Sequence, residues 1–296
     1  WSILTSRTFI VSTLVGMLAM GGMIGVLSYL PTYLQMVYGY SATGSGLLLV
    51  PITIGMLVSS ILSGVLVSRT NRYRLYPIVG PLVAAGASFW LSRLTTSSPV
   101  WQISAATFLM GAGVGLFFQL LVTVVQNALP ARYLGTATSG NNFFREVGVS
   151  LGASLIGAAF SSGLTSNLTD RIGALARSAD PAVLGSLAQF KDADTSSLTP
   201  ALVNKLPTAL HDAVASSYAD ALLPIFAWMI PLFVATSVIA LLLPEVPLSQ
   251  KTAMEQIAEA ESADEPEVSE SESASQEQEL NPAEEPAEPE SVADAE

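Results

Sequence analysis

Apolar positions along the chain gather into six blocks, at about 9–30, 44–68, 75–95, 101–126, 137–161 and 222–243. Each is close to the twenty or so residues a helix needs to cross roughly 30 Å of hydrocarbon at 1.5 Å per residue. Arg93, Arg145 and Glu146 are the only charged residues within them. Helix is the required form, because an unpaired backbone amide in lipid costs several kcal/mol. The blocks are rich in Gly and Ala, which suits helices packed closely on one another rather than lone anchors. The pattern predicts an all-α membrane protein with six transmembrane helices, five of them within residues 1–161 and the sixth at 222–243. Phe9–Leu30 behind Arg7 has the look of a signal peptide. Its apolar stretch is too long for a signal core, however, and five similar blocks follow it.

Basic residues of the short loops set an orientation. Arg7 precedes the first block, Arg69, Arg72 and Arg74 follow the second, and Arg132 follows the fourth. The short loops that alternate with these, Pro31–Thr43 and Thr96–Pro99, contain no Lys or Arg. The positive-inside rule then places the arginine side, with the N-terminus, in the cytoplasm, and leaves Arg93 to snorkel at the outer interface. Residues 162–221 read as a long extracytoplasmic loop with two short helix-like stretches, broken at Asp180-Pro181 and Thr199-Pro200. Residues 244–296 read as a disordered cytoplasmic tail biased to Glu, Ala, Ser and Pro.

Composition agrees and removes several functions. Half of the chain is hydrophobic, 12% is charged and mean hydropathy is +0.51, against about 25% charge in ordinary globular chains. The net charge of −12 belongs to the tail: Glu245–Glu296 holds 17 of the 24 acids and a single base, Lys251. That segment carries −16 and the remainder +4, which gives no support to nucleic-acid binding. With no cysteine, neither a disulfide framework nor a Cys-based metal site is open to the chain. His211, the single histidine, lies beside Asp212 in the outer loop with no nucleophile elbow to accompany it. No set of catalytic residues clusters at one interface, so the chain reads as neither an enzyme nor a holder of a metal or cofactor. Its first residue is Trp1 rather than Met, which leads to the expectation that upstream sequence is missing.

Four stretches stand out. Tyr33-Leu34-Gln35 ends the first block, and Gly39-Tyr40-Ser41-Ala42-Thr43-Gly44-Ser45-Gly46 followed by Pro51 opens the second. Gly64-Val65-Leu66-Val67-Ser68-Arg69 closes the second block and leads into the arginine loop. Gly111, Gly113 and Gly115, then Gly148, Gly152 and Gly157, form small-residue faces on the fourth and fifth blocks, a spacing that lets backbones approach. Asn141-Asn142-Phe143-Phe144-Arg145-Glu146 is the most polar stretch inside a block, and intramembrane ionisable residues are functional candidates by default.

In this order the motifs resemble the major facilitator superfamily, and specifically the C-terminal half of its fourteen-span drug:proton antiporters of the EmrB/QacA type. The resemblance covers about residues 5–160 and the last block, and implies a major-facilitator-type half-bundle. It implies a secondary transporter exporting drug-like or amphipathic compounds, in which two bundles rock about a midplane site and a proton gradient drives export. The partners implied are the lipid bilayer, a missing N-terminal transporter half and a small amphipathic substrate, at the plasma membrane. Gly64, Arg69, Arg72 and Arg74 would belong to the family's gating loop, although Ser68 and Asn71 replace its Asp and Gly, and a plain cytoplasmic anchor accounts for the arginines equally well. Arg145 and Glu146 are candidates for gating or coupling. Tyr29, Tyr33, Gln35, Phe117, Phe118, Gln119, Gln126 and Asn142 are candidates for an apolar cavity with a few orienting polar groups. The alternative is a membrane subunit that binds without transporting.

A proton relay needs titratable groups in the membrane, and the six blocks offer Glu146 alone, toward one end. Vesicles containing only these residues are therefore expected to show no proton-driven efflux; efflux driven by an imposed pH gradient would overturn this.

Overall fold

The computed structural model describes residues 6–70, 73–127, 133–177, 200–203 and 206–244. Apart from short connecting turns these are helical, with no strand among them. The helices are α1 (Arg7–Tyr38), α2 (Ala42–Leu47), α3 (Val50–Thr70), α4 (Leu75–Ser92), α5 (Val100–Asn127), α6 (Leu134–Arg177), α7 (Pro200–Val203) and α8 (Thr208–Ala240). With α2 and α3 counted as one span, six are long and apolar enough to cross a membrane. The acidic tail expected over 244–296 lies, from residue 245 on, outside the described residues.

Helix ends follow from local chemistry. Ser6 caps α1 by accepting from the amide of Phe9 at 3.3 Å. The helix stops at Gly39, whose φ of 69° sits in the left-handed region that a side chain would disfavour. Ser41 then caps α2 through the amide of Gly44. Long-range hydrogen bonds mark two ends of the bundle. At the first, Arg74 and Tyr73 before α4 reach the end of α8, and Asn141 of α6 bonds Thr13 of α1. At the other, Tyr38 of α1 donates to the carbonyl of Ser98 ahead of α5 at 2.8 Å. The first is the basic end, carrying Arg7, Arg69 and Arg74; the second is the far end.

α1 and α5 form the centre. Buried residues make up 61% and 56% of their most apolar windows, against 28% in the α2–α3 span and 17% in α6. α5 lies between α3 and α4, α4 continues to α8, and α8 and α6 flank α1. The contacts depend on glycine. A Cβ at Gly111 would strike the carbonyl of Ile52, one at Gly115 the carbonyl of Met56, and one at Gly113 the α4 backbone at Gly80 and Ala84. On α1, Gly21 lies against Gly148 and Gly152, so the expected packing role of the fifth block's glycines has a definite partner. Gly64 differs: nothing lies within 4 Å of its Cβ position.

The segment over 162–221 departs from the expected loop. α6 runs on to Arg177 and α8 begins at Thr208, so much of that stretch continues the two flanking helices. At 44 residues α6 is about 66 Å long, roughly twice the hydrocarbon thickness. The reason is a narrow apolar seam: Leu164, Leu168, Val214 and Tyr218 are buried in the main core cluster, while their polar neighbours dilute the average hydropathy. Arg171 donates to Asp220 across the pair. Residues 178–199 lie outside the described residues.

Gly111→Val pushes a branched side chain into backbone that cannot rotate away, and overpacking of this kind costs at least about 1–3 kcal/mol. Loss of the monodisperse folded species in detergent gel filtration is the expected result, with Gly64→Ala unchanged as the control.

Candidate functional site

The fourth and fifth membrane spans bring the polar stretch together near the basic end. Arg145 is half-buried, its guanidinium carbon 4.7 Å from the Phe118 ring centroid on α5. About two turns nearer the end, Gln126 donates to the Thr138 hydroxyl at 3.2 Å. Gln119 lies exposed on the same helix as Phe118, and Asn142 is half-buried one turn before Glu146. Asn141, the neighbour of Asn142, is buried and donates to Thr13 at 3.2 Å, tying α6 to α1. Phe118 thus meets Arg145 and Gln126 meets Thr138 across the α5–α6 pair, while Gln119 and Asn142 lie on the same two helices.

Glu146 points elsewhere. It is two positions from Gly148, about 200° around the helix from the surface that meets α1. Every fourth residue continues its ridge through Ser150, Ser154, Ala158, Ser162 and Ser166, all exposed. The Ser154 hydroxyl is satisfied by the Ser150 carbonyl at 2.9 Å, but the Glu146 carboxylate has no such local outlet. The Asn141–Thr13 bond and the Gly148–Met17 contact set its depth beside residues 13–17 of α1. That is roughly 6–12 Å inside the start of the α1 apolar run at Phe9. An ionisable residue at this depth needs a water-filled cavity or a protein partner.

The other cavity candidates are dispersed. Tyr33 is 1% exposed, with its hydroxyl 3.5 Å from the Thr95 carbonyl at the far end. Gln35 donates to Ser45 at 3.0 Å and holds the α1–α2 turn. Phe117 is buried against Gly80. Tyr29 stacks on Phe160 at 4.9 Å, Phe160 in turn meets Tyr218 at 5.6 Å, and Gly157 leaves room for the Tyr29 hydroxyl. Sequence reasoning marked Asn141 only as part of the polar stretch, and did not single out Thr13 or the Phe160–Tyr218 contact. The glycines of α1 at 21 and 25, four apart, were the available signal for its partner surface.

In the arginine loop, Arg74 donates to the Leu241 carbonyl at 2.6 Å and Tyr73 to the Pro244 carbonyl at 2.6 Å. Both close off the C-terminus of α8, where a cation also meets the negative end of the helix dipole. Arg69 is exposed in the last turn of α3, and Arg72 lies outside the described residues. His211 sits in the first turns of α8 with Nδ1 3.5 Å from Asp212.

A glycine-packed bundle of six spans, with polar groups where α5 meets α6, defines a polytopic membrane protein of the transporter class. The family model described as Major Facilitator Superfamily matches residues 1–153, and the chain belongs to that family. It is 37% identical over 229 residues to an uncharacterized MFS-type transporter of Mycobacterium tuberculosis, covering 77% of this chain and 31% of that protein. It is 28% identical to the multidrug transporter protein MdtP of Bacillus subtilis, covering 85% of this chain and 48% of that one. A tetracycline resistance determinant of Streptomyces rimosus is 30% identical over 46% of this chain and 39% of its own length. The chain thus spans less than half the length of these relatives. Among solved structures, a bacterial homolog of the human lysosomal transporter Spinster, inward-facing and occupied, superposes with a TM-score of 0.57. It is 19% identical, over 81% of this chain and 49% of that one, and shares the fold. The family, and the mycobacterial and MdtP relatives, are transporters rather than enzymes.

Arg74→Ala removes a charged donor from the end of α8, a loss of about 1 kcal/mol or more. The thermal midpoint in detergent is expected to fall by a few degrees, whereas Arg69→Ala leaves it in place.

Proposed function

We propose that this chain is the C-terminal part of a fourteen-span-type secondary transporter that exports amphipathic, drug-like compounds in exchange for protons by alternating access. The observation that carries the reading is Glu146, an exposed acid well inside the apolar run on a ridge of small and hydroxyl side chains. Lipid is a poor neighbour for that ridge, whereas helices of another bundle fit small residues closely. The remaining helices of the transporter would pack against it. The α5–α6 surface carrying Gln119, Asn142 and Arg145 would then line the space between bundles, where a few polar groups in apolar walls orient a substrate. Similarity to a multidrug transporter and a tetracycline resistance determinant supports the substrate class. No bound cofactor is needed, the driving force being the proton gradient across the plasma membrane. The basic end, by its arginines, faces the cytoplasm.

Inverted vesicles containing the intact transporter are expected to accumulate a fluorescent lipophilic cation when acidified inside, and to lose it on adding a protonophore. Glu146→Gln is expected to reduce this flux at least about tenfold, in the range set by loss of a proton-transfer group, while equal amounts of protein reach the membrane. Flux indifferent to both the protonophore and Glu146→Gln would sink the coupling role. Orientation is read separately: the chain has no native cysteine, so Ser68→Cys and Ser97→Cys report the basic and far ends. Ser97→Cys is expected to react with an impermeant maleimide from outside intact cells, and Ser68→Cys only after lysis.

A further inference from the structure

An apolar groove of about 590 Å³ runs between α1, α6 and α8. Its floor is the glycine contact of Gly21 with Gly148 and Gly152, which supports no side chains to fill the space above it. Its lips are Leu155, 71% exposed, and Trp228, 81% exposed. In an aqueous protein such a surface would be a liability, but along membrane-crossing helices the solvent is hydrocarbon, and an acyl chain has the chemistry to fit the groove. Selection among lipids must therefore come from the far end of the groove. Asp220 lines it there and accepts from Arg171, both side chains being about half exposed. Asp220 also lines a second groove, of about 420 Å³, on the other side of α8. That groove contains Arg93, whose guanidinium lies 5.1 Å over the Phe89 ring at the far end of α4. Arg171 and Arg93 thus lie on either side of Asp220 around α8, at the depth where its apolar run begins. Asp170 neighbours Arg171, whereas Arg93 has no carboxylate partner among the described residues and supplies the charge for one phosphodiester, which Arg is the side chain best shaped to hold.

We propose that the far end of α8 is a binding site for an anionic phospholipid, with an acyl chain in the α1–α6–α8 groove and its phosphate on Arg171 and Arg93. The chain and the head group make separable contributions. Occupancy supports the exposed junction of α6 with α8, where direct contact between the two helices is interrupted by the groove.

The test is native mass spectrometry of the purified intact protein, delipidated and then given phosphatidylglycerol, phosphatidylcholine, diacylglycerol or glycerol 3-phosphate. Phosphatidylglycerol is expected to remain bound about tenfold more than phosphatidylcholine, as one charge-assisted contact would give. Glycerol 3-phosphate, which has the charge but no chain, is expected to leave no adduct. Ala159→Phe fills the groove from a position that already faces it, and should remove the retained lipid whatever its head group. Arg171→Gln, and independently Arg93→Gln, which breaks no ion pair among the described residues, should bring phosphatidylglycerol down toward the phosphatidylcholine level. Equal retention of the two lipids, undiminished binding in Ala159→Phe, or a glycerol 3-phosphate adduct as strong as that of phosphatidylglycerol would each overturn the site.

Discussion

Close approach of helix backbones at glycine is the contact on which the rest of the bundle depends. Between helices in a bilayer there is no hydrophobic driving force, since the lipid is as apolar as the side chains, and packing must hold the bundle together. α5 meets α3 at Gly111 and Gly115 and meets α4 at Gly113, so both neighbours are seated through bare backbone. α1 does the same for α6 at Gly21, while Gly22 and Gly25 receive Phe233 and Met229 of α8. Few polar contacts reinforce this frame. The buried Asn141–Thr13 bond fixes the rotation of α6 on α1, since a different rotation would leave an amide and a hydroxyl unpaired in the interior.

That rotation decides the chemistry. With Gly148 and Asn141 turned to α1, Arg145 falls toward Phe118 on α5, and Glu146 falls on the opposite side with the serine ridge. Two adjacent charges thereby face two different environments. The same rotation turns Leu155 toward the groove beneath α8. One helix, held along a single ridge, therefore presents a polar cavity-type surface, a small-residue ridge and a lipid-type surface.

The ends are closed by different means. At the basic end, Arg74 and Tyr73 hold the C-terminus of α8, and Ser237 donates to the Ile78 carbonyl one turn below, at 2.8 Å. At the far end Tyr38 holds the turn before α5, and the paired extensions of α6 and α8 share Arg171 and Asp220. The family's loop arginines, expected from the sequence as parts of a gate, include one, Arg74, that is occupied in holding the last helix.

By itself the sequence determined the six spans, the all-helical class, the two chemically distinct ends and the family, because hydrocarbon thickness and backbone hydrogen bonding leave a chain this apolar almost no other form. It also marked the polar stretch 141–146 and the packing glycines, since small and ionisable residues are conspicuous in such a background. The tertiary structure alone decided which glycine meets which backbone. It also separated Tyr33 and Gln35, held in far-end hydrogen bonds, from Phe118, Gln126 and Arg145, which make contacts across the α5–α6 pair. It carried α6 and α8 through much of the expected loop on a seam too narrow to raise hydropathy. The physical reason is common to all three. Membrane insertion depends on composition summed along one segment, whereas a partner, a depth and a helix rotation depend on atoms from segments far apart in the chain.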